Sequence, residues 1–165
     1  MVGGFDIALW LLLVIATITD LRWGKIFNAV TFPFFFLGIG ARFFQLGTEA
    51  GIQSLAAIAV AFALFFPLYF LKTVAAADVK LIMAIGAWTE PRVILGLAIV
   101  SVMFGAFVGL LVMGRQLGIR EGAKNIALHM KQQVPQRSTK MPFAPAFLCA
   151  FMVLKIGEMY QWSIF

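Results

Sequence analysis

Long apolar blocks separated by short polar segments constrain the fold of this sequence more than any other feature. Of the 165 residues, 62% are hydrophobic and only 12% are charged, which is more apolar side chain than a soluble domain of this size can bury. A helix needs about 20 residues to cross a bilayer core of roughly 30 Å, and several blocks reach that length. The pattern predicts an all-α, polytopic membrane protein that forms one domain over residues 1–165.

Six of the apolar blocks are predicted to span the bilayer, although the fourth is short for a full crossing. When the fourth block crosses, most lysines and arginines fall on one side of the membrane, and only Arg42, Arg92 and Lys155 fall on the other. Because basic loops stay cytoplasmic, this asymmetry favours six crossings of a bacterial cytoplasmic (inner) membrane, with both termini outside. The predicted spans cover residues 5–19, 26–46, 52–71, 75–88, 93–113 and 143–160.

Residues 115–140 form a basic segment that is predicted to lie on the cytoplasmic side. Its apolar residues recur at helical spacing and its basic residues surround them, which is typical of a short amphipathic helix on an anionic leaflet. An ordinary solvated helix within the loop is the alternative. The net charge of +6 is therefore attributed to membrane topology, and the lipid bilayer rather than nucleic acid is the predicted partner.

The sequence indicates neither a disulfide nor a metal centre. Cys149 is the only cysteine, so an internal disulfide and a cysteine-rich zinc site are both excluded. His129 is the only histidine and has no neighbouring cysteine or histidine to complete a metal site. The expected chemistry needs no metal and no cofactor.

Two aspartates are candidate catalytic residues, because both lie at predicted cytoplasmic ends of apolar spans. Asp20 and Asp78 belong to different helices but share one membrane depth. Ionised carboxylates are costly there, and two that approach each other share a proton, so one can activate water as a base while the other acts as an acid. The alternative is that each aspartate caps a helix or pairs with a cation.

The residues around both aspartates resemble the type IV prepilin peptidases, which are intramembrane aspartyl proteases of the GxGD class. The first family motif is an aspartate, a basic segment and Ile-Pro-Asn, and residues 20–28 read Asp-Leu-Arg-Trp-Gly-Lys-Ile-Phe-Asn. The second is Gly-x-Gly-Asp-x-Lys-Leu, and residues 75–81 read Ala-Ala-Ala-Asp-Val-Lys-Leu. The third resembles Pro-Phe-Gly-Pro, and residues 142–145 read Pro-Phe-Ala-Pro. The motifs follow the family's order.

The resemblance implies an aspartic endopeptidase in which Asp20 and Asp78 activate water to cleave the leader of a prepilin at the cytoplasmic membrane face. The implied substrate has a short basic leader followed by a hydrophobic helix. Because the cysteine-rich insertion of the methylating enzymes is absent, the chain is similar to the short branch, often called CpaA or TadV, that serves Flp/Tad pili. Supporting or substrate-binding roles are implied for Asn28, Ala77, Lys80, Pro142 and Pro145.

Two of these supporting residues have alternative roles. Lys80 either tunes the acidity of Asp78, because a nearby opposite charge favours the carboxylate, or extends to the lipid headgroups. Asn28 either forms a hydrogen bond across helices near Asp20 or caps the second span.

Three residues depart from the family pattern. Both glycines of the second motif are alanines, at positions 75 and 77, and the proline of the first motif is Phe27. Alanine lacks the access of glycine to positive φ and to close backbone approach, which leaves an inactive scaffold of pilus assembly as an alternative function. A small proton-coupled transporter is another alternative, but no carboxylate stands at mid-depth and no inverted repeat is visible.

Overall fold

The computed structural model describes residues 4–129 and 143–159, with side-chain surroundings for residues 4–110 and 143–158. Within these ranges the chain forms six α-helices and no β-strand, which confirms the all-α prediction. The helices are α1 (Gly4–Trp23), α2 (Asn28–Leu46), α3 (Thr48–Phe70), α4 (Ala76–Gly86), α5 (Pro91–His129) and α6 (Ala144–Met159).

Helix α1 illustrates how the long apolar blocks divide between protein and lipid. Leu9, Leu12 and Leu13 are buried against the other helices. The opposite face is equally apolar and faces outward, which suits a helix surrounded by hydrocarbon rather than water. The exposed residues of that face are Ile7, Leu11, Val14 and Ile18.

Four of the described helices are long and apolar enough to cross a membrane. They are α1, α2, α3 and the part of α5 from Pro91 to Leu110. Helix α6 has 16 residues and α4 has 11, so both are shorter than the roughly 20 residues of a full crossing. Length and composition therefore identify four candidate spans, and six crossings stay a prediction.

Helix α4 is the shortest and most thoroughly buried of the described helices. Leu81, Ile82 and Ile85 are completely buried, and the helix packs against α2, α3 and α5. Around it, contacts between neighbouring helices close a ring in the order α1, α2, α3, α5, α6 and back to α1. The second motif, residues 75–81, therefore forms the first turns of the central helix of the bundle.

Successive helices run in alternating directions between two ends of the bundle. At one end, the last turns of α1 and α3 meet the first turns of α4 and α6 around a cavity. At the other end, Arg42 near the end of α2 contacts Ala50 at the start of α3 and Trp88 just after α4. At that same far end Lys155 of α6 pairs with Asp6 of α1 at 2.8 Å.

Arg42 holds the far end of the bundle together. Its side chain is 7% exposed, and its Nε donates a hydrogen bond to the Ala50 carbonyl at 3.2 Å. Its Nη1 donates to the Trp88 carbonyl at 3.5 Å, and Glu90 lies 3.8 Å from Nη2. Buried charge is tolerated where it is paired and hydrogen-bonded in this way. The contacts fix the C-terminal end of α4 between α2 and α3.

Helix α5 is longer than the sequence indicates. The sequence predicts that the fifth span ends near residue 113 and that a separate amphipathic helix follows within residues 115–140. The backbone instead continues as one helix of 39 residues to His129. At 1.5 Å per residue its length is about 58 Å, roughly twice the bilayer core. Residues 130–140 lie outside the described residues, and the amphipathic surface stays a prediction.

Close packing of α4 on α3 depends on Gly86. A Cβ atom at this position would lie 3.2 Å from the carbonyl group of Ala57 and from the backbone nitrogen of Ile58. Backbone atoms within a helix cannot move aside singly, so a methyl group at Gly86 requires the two helices to shift by a few tenths of an ångström.

We expect the Gly86→Ala variant to melt at a lower temperature in detergent than the native chain, because the added methyl group pushes α4 away from α3. Overpacking of this kind costs about 1–3 kcal/mol. Gly40→Ala in α2 is the matched control, since a Cβ there meets no atom within 4 Å. Equal melting temperatures for the two variants would contradict the close contact between α3 and α4.

Candidate active site

A cavity of about 1370 Å³ opens at the end of the bundle where α4 and α6 begin. Every described helix contributes to its wall, so the cavity exists only when the whole bundle is assembled. Two of its lining residues are the aspartates singled out in the sequence. Among the residues that line the cavity, the six helices contribute, in chain order, Asp20, Asn28, Tyr69, Asp78, Gly105 and Cys149.

Asp20 lies in the last turn of α1 and is half-buried. Its Oδ2 accepts a hydrogen bond from the backbone N–H of Ala144, the first residue of α6, at 3.2 Å. The first N–H groups of a helix have no partner within the helix, and they carry the positive end of its dipole. The start of α6 therefore stabilises negative charge on Asp20 and joins the first sequence motif to the third.

Asp78 lies in the first turn of α4 and is 5% exposed. Its Oδ2 accepts a hydrogen bond from the backbone N–H of Ala75 at 3.1 Å. This bond is one half of a capping box, and the other half is missing because alanine has no side-chain acceptor. Asp78 therefore does cap its helix, but from within the first turn rather than from the N-cap position.

The two carboxylates line the same cavity and are close enough to interact electrostatically. They come from different helices, and each is held by the N-terminus of a helix, α6 for Asp20 and α4 for Asp78. Asp20 is the more accessible of the pair, and Asp78 is almost fully enclosed. Two carboxyl groups in such unequal environments can divide the roles of base and acid between them.

Lys80 and Asn28 contact each other across the cavity mouth. The Lys80 Nζ donates a hydrogen bond to the Asn28 Oδ1 at 3.2 Å and lies 5.6 Å from the centre of the Phe32 ring. In the described part of the chain Lys80 forms no ion pair with Asp78 within 4.0 Å. Asn28 begins α2 without acting as its cap, because the N-cap residue is Phe27. Of the two roles expected for Asn28, the structure shows the hydrogen bond across helices, and its partner is Lys80.

The alanines that replace the family glycines adopt ordinary backbone conformations. Ala75 is extended, with φ −80° and ψ 154°, and Ala77 lies within α4 and lines the cavity. Lys72 is the only described non-glycine residue with positive φ, at 59°. The backbone around Asp78 therefore accommodates alanine without conformational strain.

Several lining residues carry no signal in the sequence. Lys25 and Lys72 join Lys80 in giving the cavity a basic rim, while Phe104 and Gly105 of α5 close its apolar side. Basic residues beside a predicted interface are too common to single out, and nothing in the apolar α5 sequence marks these positions. Among the implied supporting residues, Asn28, Ala77, Lys80 and Pro145 line the cavity, while Pro142 lies outside the described residues.

Metal binding has no obvious donor set in this region. Among the residues that the structure describes, no three or more histidine, cysteine, aspartate or glutamate side chains cluster as metal ligands would.

Comparison with known proteins supports the resemblance drawn from the motifs. The type IV leader peptidase family matches residues 7–110, which is more than half of the chain and confirms the predicted family. The matched segment includes Asp20 and Asp78, but it ends before α6 and its Pro-Phe-Ala-Pro entry. No curated protein and no solved structure matches the chain.

Restoring the family glycine that falls within α4, in the variant Ala77→Gly, is expected to lower thermal stability slightly. Glycine loses more backbone freedom on folding than alanine, at a cost of roughly 0.5–1 kcal/mol per residue, and no positive φ is relieved in return. The measurement is the melting temperature in detergent, with Gly40→Ala as a control for small changes in helix composition. A rise in melting temperature would indicate that Ala77 is strained.

Proposed function

This chain belongs to the type IV leader peptidase family and is a peptidase, and we propose that it is an aspartic endopeptidase that removes the leader of a prepilin. The observation that carries the proposal is that Asp20 and Asp78, far apart in the sequence, line one cavity. The two carboxyl groups are also close enough to influence each other electrostatically, and we place the attacking water and the peptide carbonyl between them. No metal or cofactor is required for the reaction.

Unequal burial suggests which aspartate plays which role. Each carboxyl group accepts one backbone N–H, so burial is what distinguishes them. Asp20 is the more accessible, and contact with water favours its ionised form, so Asp20 acts as the base that activates water. Asp78 is 5% exposed, and burial favours a neutral carboxyl group, so Asp78 acts as the acid. Unequal environments of two carboxyl groups commonly set such assignments.

The proposed reaction proceeds through a tetrahedral diol. Asp20 takes a proton from water as the water oxygen attacks the carbonyl carbon, and Asp78 gives its proton to the carbonyl oxygen. The C–N bond then breaks as the leaving nitrogen takes the proton from Asp20. One hydroxyl group of the diol returns a proton to Asp78, which restores both aspartates to their starting states.

Six membrane crossings with the cavity end in the cytoplasm are the topology that we propose. The alternating directions of the six helices support six crossings, even though α4 spans only about 16 Å at 1.5 Å per residue. Non-helical backbone is tolerated at membrane depth where it lines a cavity, and residues 72–75 do so just before α4. Three lysines at the cavity end favour its cytoplasmic placement, which puts both termini outside. They are Lys25, Lys72 and Lys80.

The proposed substrate is a prepilin of the Flp/Tad type, whose leader precedes a hydrophobic helix. The cavity combines a polar end, where the aspartates lie, with an apolar wall formed by Val102, Phe104 and Val108 of α5. A segment with a peptide bond beside an apolar helix matches this division. The bond to be cut would meet the aspartates while the helix lies along the apolar wall.

We expect Asp20→Asn and Asp78→Asn each to reduce cleavage of a co-expressed Flp-type prepilin by a factor of about 100 to 10,000, the usual contribution of an acid or base. The measurement is the amount of shortened pilin on a mobility gel at equal membrane abundance of the peptidase. Glu49→Gln is the matched control, because Glu49 is exposed in the first turn of α3, away from the cavity.

Full processing by either aspartate variant would remove that residue from the mechanism. Absence of cleavage by the native chain, with a prepilin that a related peptidase does process, would favour the inactive scaffold. Ala75 adopts an ordinary extended backbone conformation, and this argues against the inactive scaffold. Among the described spans, the grouping of both aspartates at one end also argues against a proton relay through the membrane.

A further inference from the structure

Phe143 packs directly against Gly105, and this contact has no place in the reaction steps above. The Phe143 ring occupies the space that a side chain at Gly105 would need, so a Cβ there would collide with the ring. Gly105 lies on α5, and Phe143 immediately precedes α6. The two residues form what we call the Phe143 seat, where the ring at the entry to α6 rests on the bare backbone of α5.

A second aromatic contact holds the start of α6 against α3. The Phe143 ring meets the Phe147 ring edge-on at 5.4 Å between centres, and the Phe147 ring lies 5.6 Å from that of Phe65 on α3. Phe147 and Phe65 are completely buried. Phe143 is therefore held between α5 and a fixed aromatic pair, and its position is set chiefly by how closely it approaches Gly105.

The seat lies next to the donor that binds Asp20. Ala144, the residue after Phe143, is completely buried and directs its backbone N–H to the Asp20 Oδ2 at 3.2 Å. Since Phe143 and Ala144 share a peptide bond, moving the ring away from α5 also moves this N–H. Hydrogen bonds weaken steeply with distance and misalignment, so a displacement of a fraction of an ångström is enough to disturb the contact with Asp20.

We propose that Gly105 and Phe143 are positioning residues, which seat the start of α6 so that its first N–H holds Asp20 in the orientation needed to activate water. This inference rests on the proposed function. The glycine is required because only a residue without Cβ lets the ring approach α5 this closely. Any larger residue lifts the α6 entry away from Asp20 while leaving both carboxyl groups in place.

The test is a double-mutant cycle on the full chain, purified in detergent and assayed with a purified Flp-type prepilin. Gly105→Ala is expected to lower kcat by about 10- to 100-fold with little change in KM, since small misplacements of catalytic groups cost rate in this range. Phe143→Leu alone is expected to lower kcat as well, because it leaves the seat partly empty. The combination Gly105→Ala/Phe143→Leu is expected to recover most of the native kcat, because the smaller side chain makes room for the added methyl group.

Gly157→Ala is the matched control, since a Cβ at this α6 position meets no atom within 4 Å and kcat is expected to stay native. Cys149 gives a readout that does not depend on activity. It is the only cysteine of the chain, is half-buried, and lines the cavity from α6. Its rate of labelling by a maleimide is expected to change in Gly105→Ala and to return to the native rate in the double variant.

Additive losses in the double variant would overturn the seat, because they would mean that Gly105 and Phe143 act separately, for example by touching substrate. An increase in KM without loss of kcat in Gly105→Ala would overturn it as well. If Gly105→Ala fails to reach native membrane abundance, kcat and Cys149 labelling of Phe143→Leu alone decide, and native values for both contradict the proposal. Full cleavage by Asp20→Asn would refute the proposed function itself, whereas native kcat in Gly105→Ala alongside an inactive Asp20→Asn would refute only the seat.

Discussion

Two carboxyl groups lie within an apolar helical bundle, and each is stabilised there by a backbone N–H at the N-terminus of a helix. Asp20 accepts the first N–H of α6, and Asp78 accepts the N–H of Ala75 just before α4. These N–H groups lack partners within their own helices, so one contact satisfies both the donor and the carboxylate. Where α4 and α6 begin is therefore determined together with where the aspartates lie, and the cavity forms between those two helix starts.

The shortness of α4 follows from the same arrangement. Because α4 begins only at Ala76, the non-helical residues 72–75 line the cavity beside Asp78. Its C-terminal end is held between α2 and α3 by Arg42, which bonds to the Trp88 carbonyl. Gly86 lets it pack closely against α3.

The two charged residues of the second motif, Asp78 and Lys80, form no ion pair with each other in the described part of the structure. Lys80 bonds to Asn28 on α2, so the second motif contributes its aspartate to the cavity wall and its lysine to the contact between α4 and α2. At the far end of the bundle Arg42 lies near Glu90, and Lys155 pairs with Asp6 and Glu158. The cavity end thus carries the basic rim, which agrees with the asymmetry of charge along the sequence.

The sequence by itself determined the helical class and the family, predicted the membrane environment, and singled out the two aspartates as candidate catalytic residues, because apolar block length and short local motifs are properties of neighbouring residues. It did not determine the single continuous α5, since helix continuation past residue 113 depends on backbone conformation rather than on hydropathy. It also could not reveal the Asp20–Ala144 bond, the Lys80–Asn28 pair or the seat of Phe143 on Gly105. Those contacts join residues from distant parts of the chain, and only the packing of the helices brings them within hydrogen-bonding or van der Waals distance.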